Sequence, residues 1–345
     1  MSKIRIAGAG IAGSYLWRLL TKRGMNPSDI EIVDPGSKTR CGISPCGFAI
    51  TRQFYPLCRE VGLDPQKYIV SIPGRSYQGN IRVRAKGYVL SIDKPAFIRD
   101  LLEGADVLSS PSNTEVARVV DATGNERACI GPHSSDQLAH CIQRKVEFSK
   151  PAPIRQLPHH VGFAWVIPLE GNCAHVGIGS YTYDIETMKK IVTELTKGAK
   201  TICSCRGYIR VSGPILPLVK DNVWAIGEAG GLVDPLTGSG MVPAMVSAKL
   251  LTEHWDDPAG YEDAVMREYG WFRETQEIVR TLLETNEFKF WNFGLWKKYL
   301  EFSDLNPSIS NLTNPSLMGT LLINTVLTLL QLPSVFQLLR SMKKK

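Results

Sequence analysis

Hydrophobic and polar positions alternate at the start of the chain and then change to a helical spacing. Ile4 and Ile6 alternate with basic residues, which is typical of a short strand with one buried face. Leucines then recur on one side of a predicted helix over 14–22, and residues 30–33 again form a short apolar run, Ile-Glu-Ile-Val. The order strand, helix, strand predicts a βαβ unit with parallel strands.

Glycines separate the first predicted strand from the helix. Gly8, Gly10 and Gly13 form the pattern G-x-G-x-x-G, and Asp34 follows the second strand at the distance typical of dinucleotide sites. The first glycine permits a tight turn, the second lets the backbone approach a pyrophosphate, and the third lets helix and strand pack closely. We therefore predict that the helix N-terminus binds phosphates and that Asp34 binds ribose hydroxyls. We also expect Ile11, Ala12 and Pro35 to contact the bound dinucleotide.

A second glycine-rich stretch lies much further along the chain. Residues 223–226 are a short apolar run that predicts a buried strand, and 227–229, Gly-Glu-Ala, predict a turn at its carboxyl end. A loop over 234–240, Asp-Pro-Leu-Thr-Gly-Ser-Gly, precedes a helix of small residues that starts near Met241. Pro243 is compatible with this helix because the first turn has spare N–H groups.

These motifs, together with Asp-Ala-Thr-Gly at 121–124, resemble the FAD-binding flavoproteins of the glutathione-reductase-like fold. Within them the chain resembles the aromatic hydroxylase and geranylgeranyl reductase branch. Residues 44–49, Ser-Pro-Cys-Gly-Phe-Ala, and 163–168, Phe-Ala-Trp-Val-Ile-Pro, are similar to the Pro-Cys-Gly and Tyr-x-Trp-x-x-Pro segments of geranylgeranyl reductases. Three residues depart from the family pattern: Glu228 replaces the usual aspartate, Phe163 the usual tyrosine, and Trp17 the usual small residue on the first helix.

The resemblance covers roughly the first 250 residues and implies an α/β fold. A Rossmann-like FAD-binding domain would contain an inserted α+β substrate domain with an antiparallel sheet. A helical region would follow at the C-terminus. The implied boundaries are 1–72, 93–130 and 213–256 for the FAD-binding domain, 73–92 and 131–212 for the substrate domain, and 257–345 for the C-terminal helical region with its apolar tail.

The resemblance also implies a set of site residues. Cys46 would donate a proton to the substrate or shape the flavin face, although an isolated cysteine is usually a small buried apolar residue. Phe163 and Trp165 would share one strand face, as an apolar wall for a substrate chain or as ordinary sheet core. The implied catalytic residues are Cys46, Gly47, Phe163 and Trp165. The implied FAD-binding residues are Gly8, Gly10, Ile11, Ala12, Gly13, Asp34, Pro35, Cys46, Gly47, Arg99, Gly124, Gly227, Glu228, Pro235, Gly238, Gly240 and Met241.

The function implied by the resemblance is FAD-dependent saturation of carbon–carbon double bonds in geranylgeranyl chains, in the biosynthesis of archaeal-type membrane lipids. The substrate would be a prenyl-chain lipid or a prenyl diphosphate, and the electron donor NAD(P)H or a reduced ferredoxin-like protein. The alternative enzyme is a flavin-dependent monooxygenase or halogenase of the same fold. A protein that only holds FAD or a lipid is the alternative outside enzymes.

Composition narrows the classes of partner. The 345 residues predict more than one lobe, and the net charge of +7 is too scattered to indicate nucleic-acid binding. The eight cysteines have no metal-ligand spacing and follow an intracellular pattern, so we expect a cytoplasmic protein without a metal. The first apolar stretch is the predicted cofactor strand, so we expect no signal peptide. Residues 305–339 carry no charge. We expect this tail to pack against the substrate domain, with peripheral membrane contact as the alternative.

Overall fold

The computed structural model describes residues 3–36, 45–72, 76–78, 81–83, 89–152, 154–159 and 162–285, and contains three sheets. The strands are β1 (Ile4–Ala7), β2 (Ile30–Val33), β3 (Ala49–Thr51), β4 (Ile69–Ser71), β5 (Ser76–Gln78), β6 (Ile81–Val83), β7 (Val89–Ile92), β8 (Val107–Leu108), β9 (Arg118–Asp121), β10 (Leu138–Glu147), β11 (Ile154–His159), β12 (Gly162–Pro168), β13 (Cys173–Ser180), β14 (Lys200–Arg210), β15 (Val219–Lys220) and β16 (Val223–Ala225). The helices are α1 (Ile11–Lys22), α2 (Phe54–Glu60), α3 (Lys94–Leu101), α4 (Ile185–Leu195), α5 (Met241–Glu253), α6 (Pro258–Tyr269) and α7 (Phe272–Thr285).

The first sheet has six strands in the order β15-β16-β9-β1-β2-β8. All neighbouring strands are parallel except β15, which runs antiparallel to β16. Ile4 pairs with Ile30 on one side and Arg118 on the other. This sheet confirms the predicted βαβ unit, although α1 begins at Ile11, three residues before the predicted start. Because apolar side chains of β1, α1 and α5 share one buried cluster, the helices are fixed against the sheet.

The second sheet has seven strands in the order β14-β10-β13-β12-β11-β5-β6 and is antiparallel except between β11 and β5. It confirms the predicted antiparallel sheet of an α+β region. Helix α4, which the sequence analysis did not locate, covers one face of this sheet. Met188 and Val192 of that helix are buried against Ile178. The signal was present in the sequence, since the Asp184 side chain caps the helix by accepting the N–H of Thr187.

Strands β5, β6 and β7 divide between two sheets. Strands β5 and β6 pair with each other and extend the second sheet. Strand β7 instead forms a small third sheet between β3 and β4. The separation arises because Leu90 and Ile92 are buried with the core that surrounds the first sheet. The division of the chain into domains stays a prediction.

Helices α6 and α7 form the described part of the predicted C-terminal helical region. Tyr261 and Phe272 are completely buried, and the Tyr261 hydroxyl donates to the Ala225 carbonyl of β16. Residues 286–345, including the apolar tail at 305–339, lie outside the described residues. Over the part of the chain that is described, none of the helices combines the length and the hydropathy that crossing a membrane requires.

The glycines of the first turn allow a matched test of the fold. A Cβ at Gly13 would overlap the carbonyl oxygen of Gly8, whereas no described protein atom lies within 4 Å of a Cβ at Gly10. We expect Gly13→Ala to lower the free energy of unfolding by about 3 kcal/mol or more, because backbone cannot move aside easily. Gly10→Ala should cost about 1 kcal/mol or less. Urea unfolding of the cofactor-free proteins measures both, and equal losses would contradict the packing described.

Candidate cofactor and active site

Four adjacent parallel strands end at the same edge of the first sheet. They are β16, β9, β1 and β2, and each is followed by a predicted motif. Gly227, the Asp121–Gly124 segment, Gly8 and Asp34 therefore lie along one edge, although they are far apart in sequence. Ligands of open parallel sheets bind outside the carboxyl ends of the strands.

The turn after β1 is tightly packed at Gly8 and open at Gly10. Gly8 has a φ of +104°, and a Cβ there would overlap the Ala122 carbonyl oxygen. Gly10, by contrast, faces open space at the start of α1. The backbone is thus tightly packed on the protein side and open on the other, as approach to a pyrophosphate requires.

Asp34 is bonded to the glycine turn itself. Its Oδ2 accepts the N–H of Ala9 at 2.7 Å, and its Oδ1 accepts the N–H of Gly36 at 2.7 Å. The carboxylate therefore links the glycine turn at Ala9 to the turn at Gly36. Pro35 lies between Asp34 and Gly36. Each oxygen keeps a further acceptor position. Its predicted role in binding ribose stays a prediction.

The Asp121–Gly124 turn is fixed by a buried carboxylate. Asp121 accepts hydrogen bonds from the backbone N–H groups of Thr123, Cys129 and Ile130, at 3.1, 2.9 and 2.9 Å. Gly124 follows with a φ of +67°. Asp121 thus stabilises the loop from within, and the motif presents Gly124 to the edge of the sheet.

Helices α1 and α5 converge at Gly227. A Cβ there would lie 3.0 Å from the Cβ of Ala12 and 3.3 Å from that of Ala244, both in the first turns of these helices. The helices begin after Gly10 and Gly240, and no described side chain caps either one. Two N-termini without side-chain caps and with positive dipole ends therefore meet beside the open space at Gly10. This geometry fits an anionic dinucleotide.

The loop before α5 is held by side-chain bonds. Asp234 is buried and accepts backbone N–H groups within its own loop. The Tyr181 hydroxyl of the second-sheet region donates to the Pro235 carbonyl at 2.8 Å. Gly238 has a φ of +68°, and α5 begins at Met241 as predicted. The loop is therefore linked to both sheets.

Glu228 connects the cofactor edge to the second sheet. Its Oε1 accepts the backbone N–H of Arg210, at the end of β14, at 2.8 Å. Burial raises the pKa of this carboxyl, and the neighbouring Arg210 and Lys94 oppose the rise. One oxygen is thus committed to β14, and Oε2 lies 3.6 Å from a Cβ built at Gly124.

Trp165 lies flat on the second sheet. Its indole Nε1–H donates to Oε1 of buried Gln143 at 3.1 Å, and the side chain is 7% exposed. A Cβ at Gly177 would overlap the indole, and one at Gly179 would lie 3.7 Å from it. The two glycines therefore create the space for the ring. Phe163 lies on the same strand and pairs in register with Gly179.

The turn that contains Cys46 packs on the same face. A Cβ at Gly47 would overlap Ile167 Cδ1, and Pro45 Cδ lies 3.2 Å from a Cβ built at Gly207. Phe48, with a φ of +64°, stacks edge-to-face on His175 with ring centroids 4.6 Å apart. The structure thus brings Cys46 and Gly47 to the face of the second sheet that carries Trp165.

His175 is a site residue that the sequence did not indicate. It is 1% exposed, and its Nδ1 has no partner among the described residues. Burial lowers the pKa of the imidazole to about 4, and the positive charges of Lys145 and Lys94 act in the same direction. The available signal was the period of two on β13, which places His175 on the same face as Gly177.

Two further thiols lie near the turn that contains Cys46. Cys46, Cys141 and Cys205 are free and close enough to interact electrostatically. Burial raises the pKa of Cys141 to about 12 and that of Cys205 to about 11, so both remain thiols at neutral pH. Cys203, further along the same face of β14, is disulfide-bonded.

Arg99 lies apart from these contacts. It is on α3, with a side chain that is 71% exposed and 3.5 Å from Asp100. Its role in cofactor binding stays a prediction.

The fold with its glycine edge is similar to that of flavin-dependent enzymes. No family model matches the chain. A geranylgeranyl bacteriochlorophyll reductase-like protein of Thermoplasma acidophilum superposes with a TM-score of 0.67 at 18% identity, covering 81% of this chain and 87% of that one. A flavin-dependent halogenase of Brevundimonas sp. BAL3 superposes with a TM-score of 0.65 at 12% identity, covering 99% of each chain.

The relatives that are similar in sequence share a more specific name than the structural neighbours do. A digeranylgeranylglycerophospholipid reductase of Methanopyrus kandleri is 25% identical and the match covers 81% of this chain and 89% of that protein. A reductase of the same name from Sulfolobus acidocaldarius is 22% identical, covering 88% and 82%. These relatives confirm the predicted resemblance to the geranylgeranyl reductase family. At the family level they support a flavin-dependent oxidoreductase.

His175 leads to a pH prediction. Its ordinary pKa of 6.5 applies to the unfolded chain, whereas the folded protein resists protonation until about pH 4. Unfolding therefore takes up a proton in this range, and we expect the free energy of unfolding to fall as the pH decreases from 6.5 to 4. His175→Phe should flatten this part of the pH dependence in urea unfolding. Identical slopes for the two proteins would contradict a buried neutral imidazole.

Proposed function

We propose that this protein is an FAD-dependent reductase that saturates double bonds in the geranylgeranyl chains of a prenyl lipid. The observation that supports it most is the position of the Cys46 turn. That turn packs on the face of the second sheet that carries Trp165, and Glu228 ties the cofactor edge to the same sheet. A flavin held at the glycine edge would therefore be close to an aromatic wall and a thiol.

FAD is the flavin that fits this edge. Two helix N-termini converge beside Gly10, which suits the paired phosphates of a dinucleotide. Asp34 lies at the end of β2, where the adenosine ribose of a dinucleotide is expected. A mononucleotide would leave this half of the edge without a ligand.

The reduction of an isolated double bond explains the need for such a face. The double bond is not activated, so it must be aligned in a water-free space with an acid at hand. FAD, when bound and reduced by the electron donor, would supply the hydride. The Trp165 indole, held by Gln143 and the two glycines beneath it, would align the prenyl chain. The thiol of Cys46 would donate the proton to the other carbon.

The same proposal predicts the substrate, the electron donor and the cellular location of the protein. The relatives are named as reductases of digeranylgeranylglycerophospholipids, which favours a prenyl lipid over a prenyl diphosphate. Electrons would come from NAD(P)H or a reduced ferredoxin-like protein. We propose a cytoplasmic protein with peripheral contact to the membrane that holds its substrate.

A flavin-dependent halogenase or monooxygenase is the alternative, and several fold neighbours favour it. The Pro-Cys-Gly segment at 45–47 and the Trp165/Pro168 motif favour the reductase. The two differ in how the reduced protein reacts, because a halogenase or monooxygenase needs oxygen and a reductase needs only the prenyl chain.

The cofactor proposal predicts that the purified protein is yellow and releases FAD on denaturation. Gly10→Val should abolish this binding, because its side chain would enter the space beside the start of α1. The cofactor-free Gly10→Val and wild-type proteins should unfold at similar urea concentrations. Chromatography of the released flavin is the measurement, and FMN or unchanged FAD content in Gly10→Val would contradict the proposal.

The role of Cys46 predicts a selective kinetic effect. Cys46→Ser should keep FAD but slow its reoxidation by prenyl substrate at least about tenfold, since an alcohol is a much poorer acid than a thiol. Reoxidation by oxygen should change less. Anaerobic stopped-flow absorbance measures the rate, with the exposed Cys129→Ser as matched control. Equal rates in both variants would exclude Cys46 as the acid.

A further inference from the structure

We propose that Arg210 is a positioning residue that fastens the second sheet to two turns of the cofactor edge. These are the β9 turn (Gly124–Glu126) and the β16 turn (Gly227–Gly230), and both contain residues predicted to bind FAD. The consequence for FAD binding rests on the proposed function. The bonds of Arg210 belong to the folded chain itself, so they can be tested without FAD or a substrate.

The main chain of Arg210 binds the β16 turn. Strand β14 is the outermost strand of the second sheet, so alternate N–H groups along it point away from β10. At Arg210, the N–H group donates to Oε1 of Glu228 at 2.8 Å. The edge of the second sheet is therefore bonded to the cofactor edge at this residue.

The side chain of Arg210 binds the β9 turn. Its Nη2 donates to the carbonyl of Asn125 at 2.6 Å, and its Nη1 forms an ion pair with Asp136. A guanidinium is planar and presents its donors in a fixed fork, so two contacts define both its position and its orientation. One residue thus holds both turns, the β16 turn through its main chain and the β9 turn through its side chain.

A second arginine joins the two turns to each other. Arg127 directly follows the β9 turn, and its Nη1 donates to the Ala229 carbonyl of the β16 turn at 2.9 Å. The same side chain donates from Nε to the Gly131 carbonyl at 2.6 Å. The turns therefore form one bonded unit, and Arg210 attaches this unit to β14.

Stability alone does not explain an arginine at this position. Arg210 is 4% exposed, and its Nε has no partner among the described residues. Buried ion pairs contribute little net stability, because the cost of removing both charges from water offsets their attraction. An apolar side chain could pack here equally well. A forked donor, in contrast, can join Asp136 to the Asn125 carbonyl.

Two substitutions separate these contacts. Arg210→Met keeps an apolar stem and removes both the ion pair and the bond to Asn125. Arg210→Lys keeps a positive charge for Asp136, but its single ammonium group does not reproduce the fork. Both variants retain the N–H that donates to Glu228. Arg206→Met, at an exposed position of the same strand, is the matched control for the loss of one positive charge.

Hydrogen–deuterium exchange of the FAD-free proteins measures how firmly the turns are held. We expect exchange over residues 123–130 to become at least about tenfold faster in Arg210→Met and Arg210→Lys, because each loses a hydrogen bond from a charged donor. Exchange over residues 173–180 of β13 should stay within about twofold of wild type, which tests for general loss of structure. Arg206→Met should match wild type over both segments. Wild-type exchange over 123–130 in Arg210→Met would overturn the proposal.

FAD affinity separates a positioning role from a structural one. We expect the Kd for FAD, measured by flavin fluorescence, to rise about tenfold in both Arg210 variants. Arg210→Lys should nevertheless unfold near the wild-type urea concentration, because it keeps the ion pair. Faster exchange with unchanged FAD affinity would reduce Arg210 to a structural contact and overturn the positioning role. Wild-type exchange and affinity in Arg210→Lys would also overturn it, since the ion pair alone would then suffice.

Two further outcomes remain decisive. If Arg210→Met does not fold, Arg210→Lys decides alone. A wild-type protein that does not bind FAD would contradict the proposed function, and the exchange data alone would then decide whether Arg210 fastens the two turns.

Discussion

Close backbone approach at a few glycines is the constraint on which the rest of the structure depends. Gly13 allows α1 to lie against the Gly8 carbonyl, and Gly227 allows the first turns of α1 and α5 to meet. A Cβ at Gly13 would overlap the backbone, and a Cβ at Gly227 would have very little space. Because these close contacts bring two uncapped helix N-termini to the ends of four parallel strands, they create the electrostatic conditions that an anionic dinucleotide requires.

The second sheet is joined to this edge by a small number of specific bonds. Glu228 accepts the N–H of Arg210, Tyr181 donates to Pro235, and the Cys46 turn packs over Trp165 and His175. These contacts orient an apolar, glycine-backed face towards the cofactor edge. The same fold serves halogenases, so the chemistry is set by what this face presents rather than by the sheet that binds the flavin.

Local signals in the sequence predicted the first sheet and its turns well. The G-x-G-x-x-G pattern and the start of α5 depend on neighbouring residues, and the structure has them within a few positions of the predictions. Helix α4 was missed although Asp184 provided a capping signal. His175 and Gln143 were not identified, because their contacts are made with residues that are distant in sequence. For the same reason the bond from Glu228 to β14 was not predicted.

Direct observation of the reduced lipid tests the central claim most clearly. The protein, photoreduced without oxygen in D2O and mixed with a digeranylgeranylglycerol lipid, should convert it in a single turnover. Mass spectrometry should show a gain of one deuterium pair at carbon for each flavin oxidised, with loss of one double bond. An unchanged lipid, with flavin that is reoxidised only when oxygen and a halide or aromatic compound are added, would contradict the account.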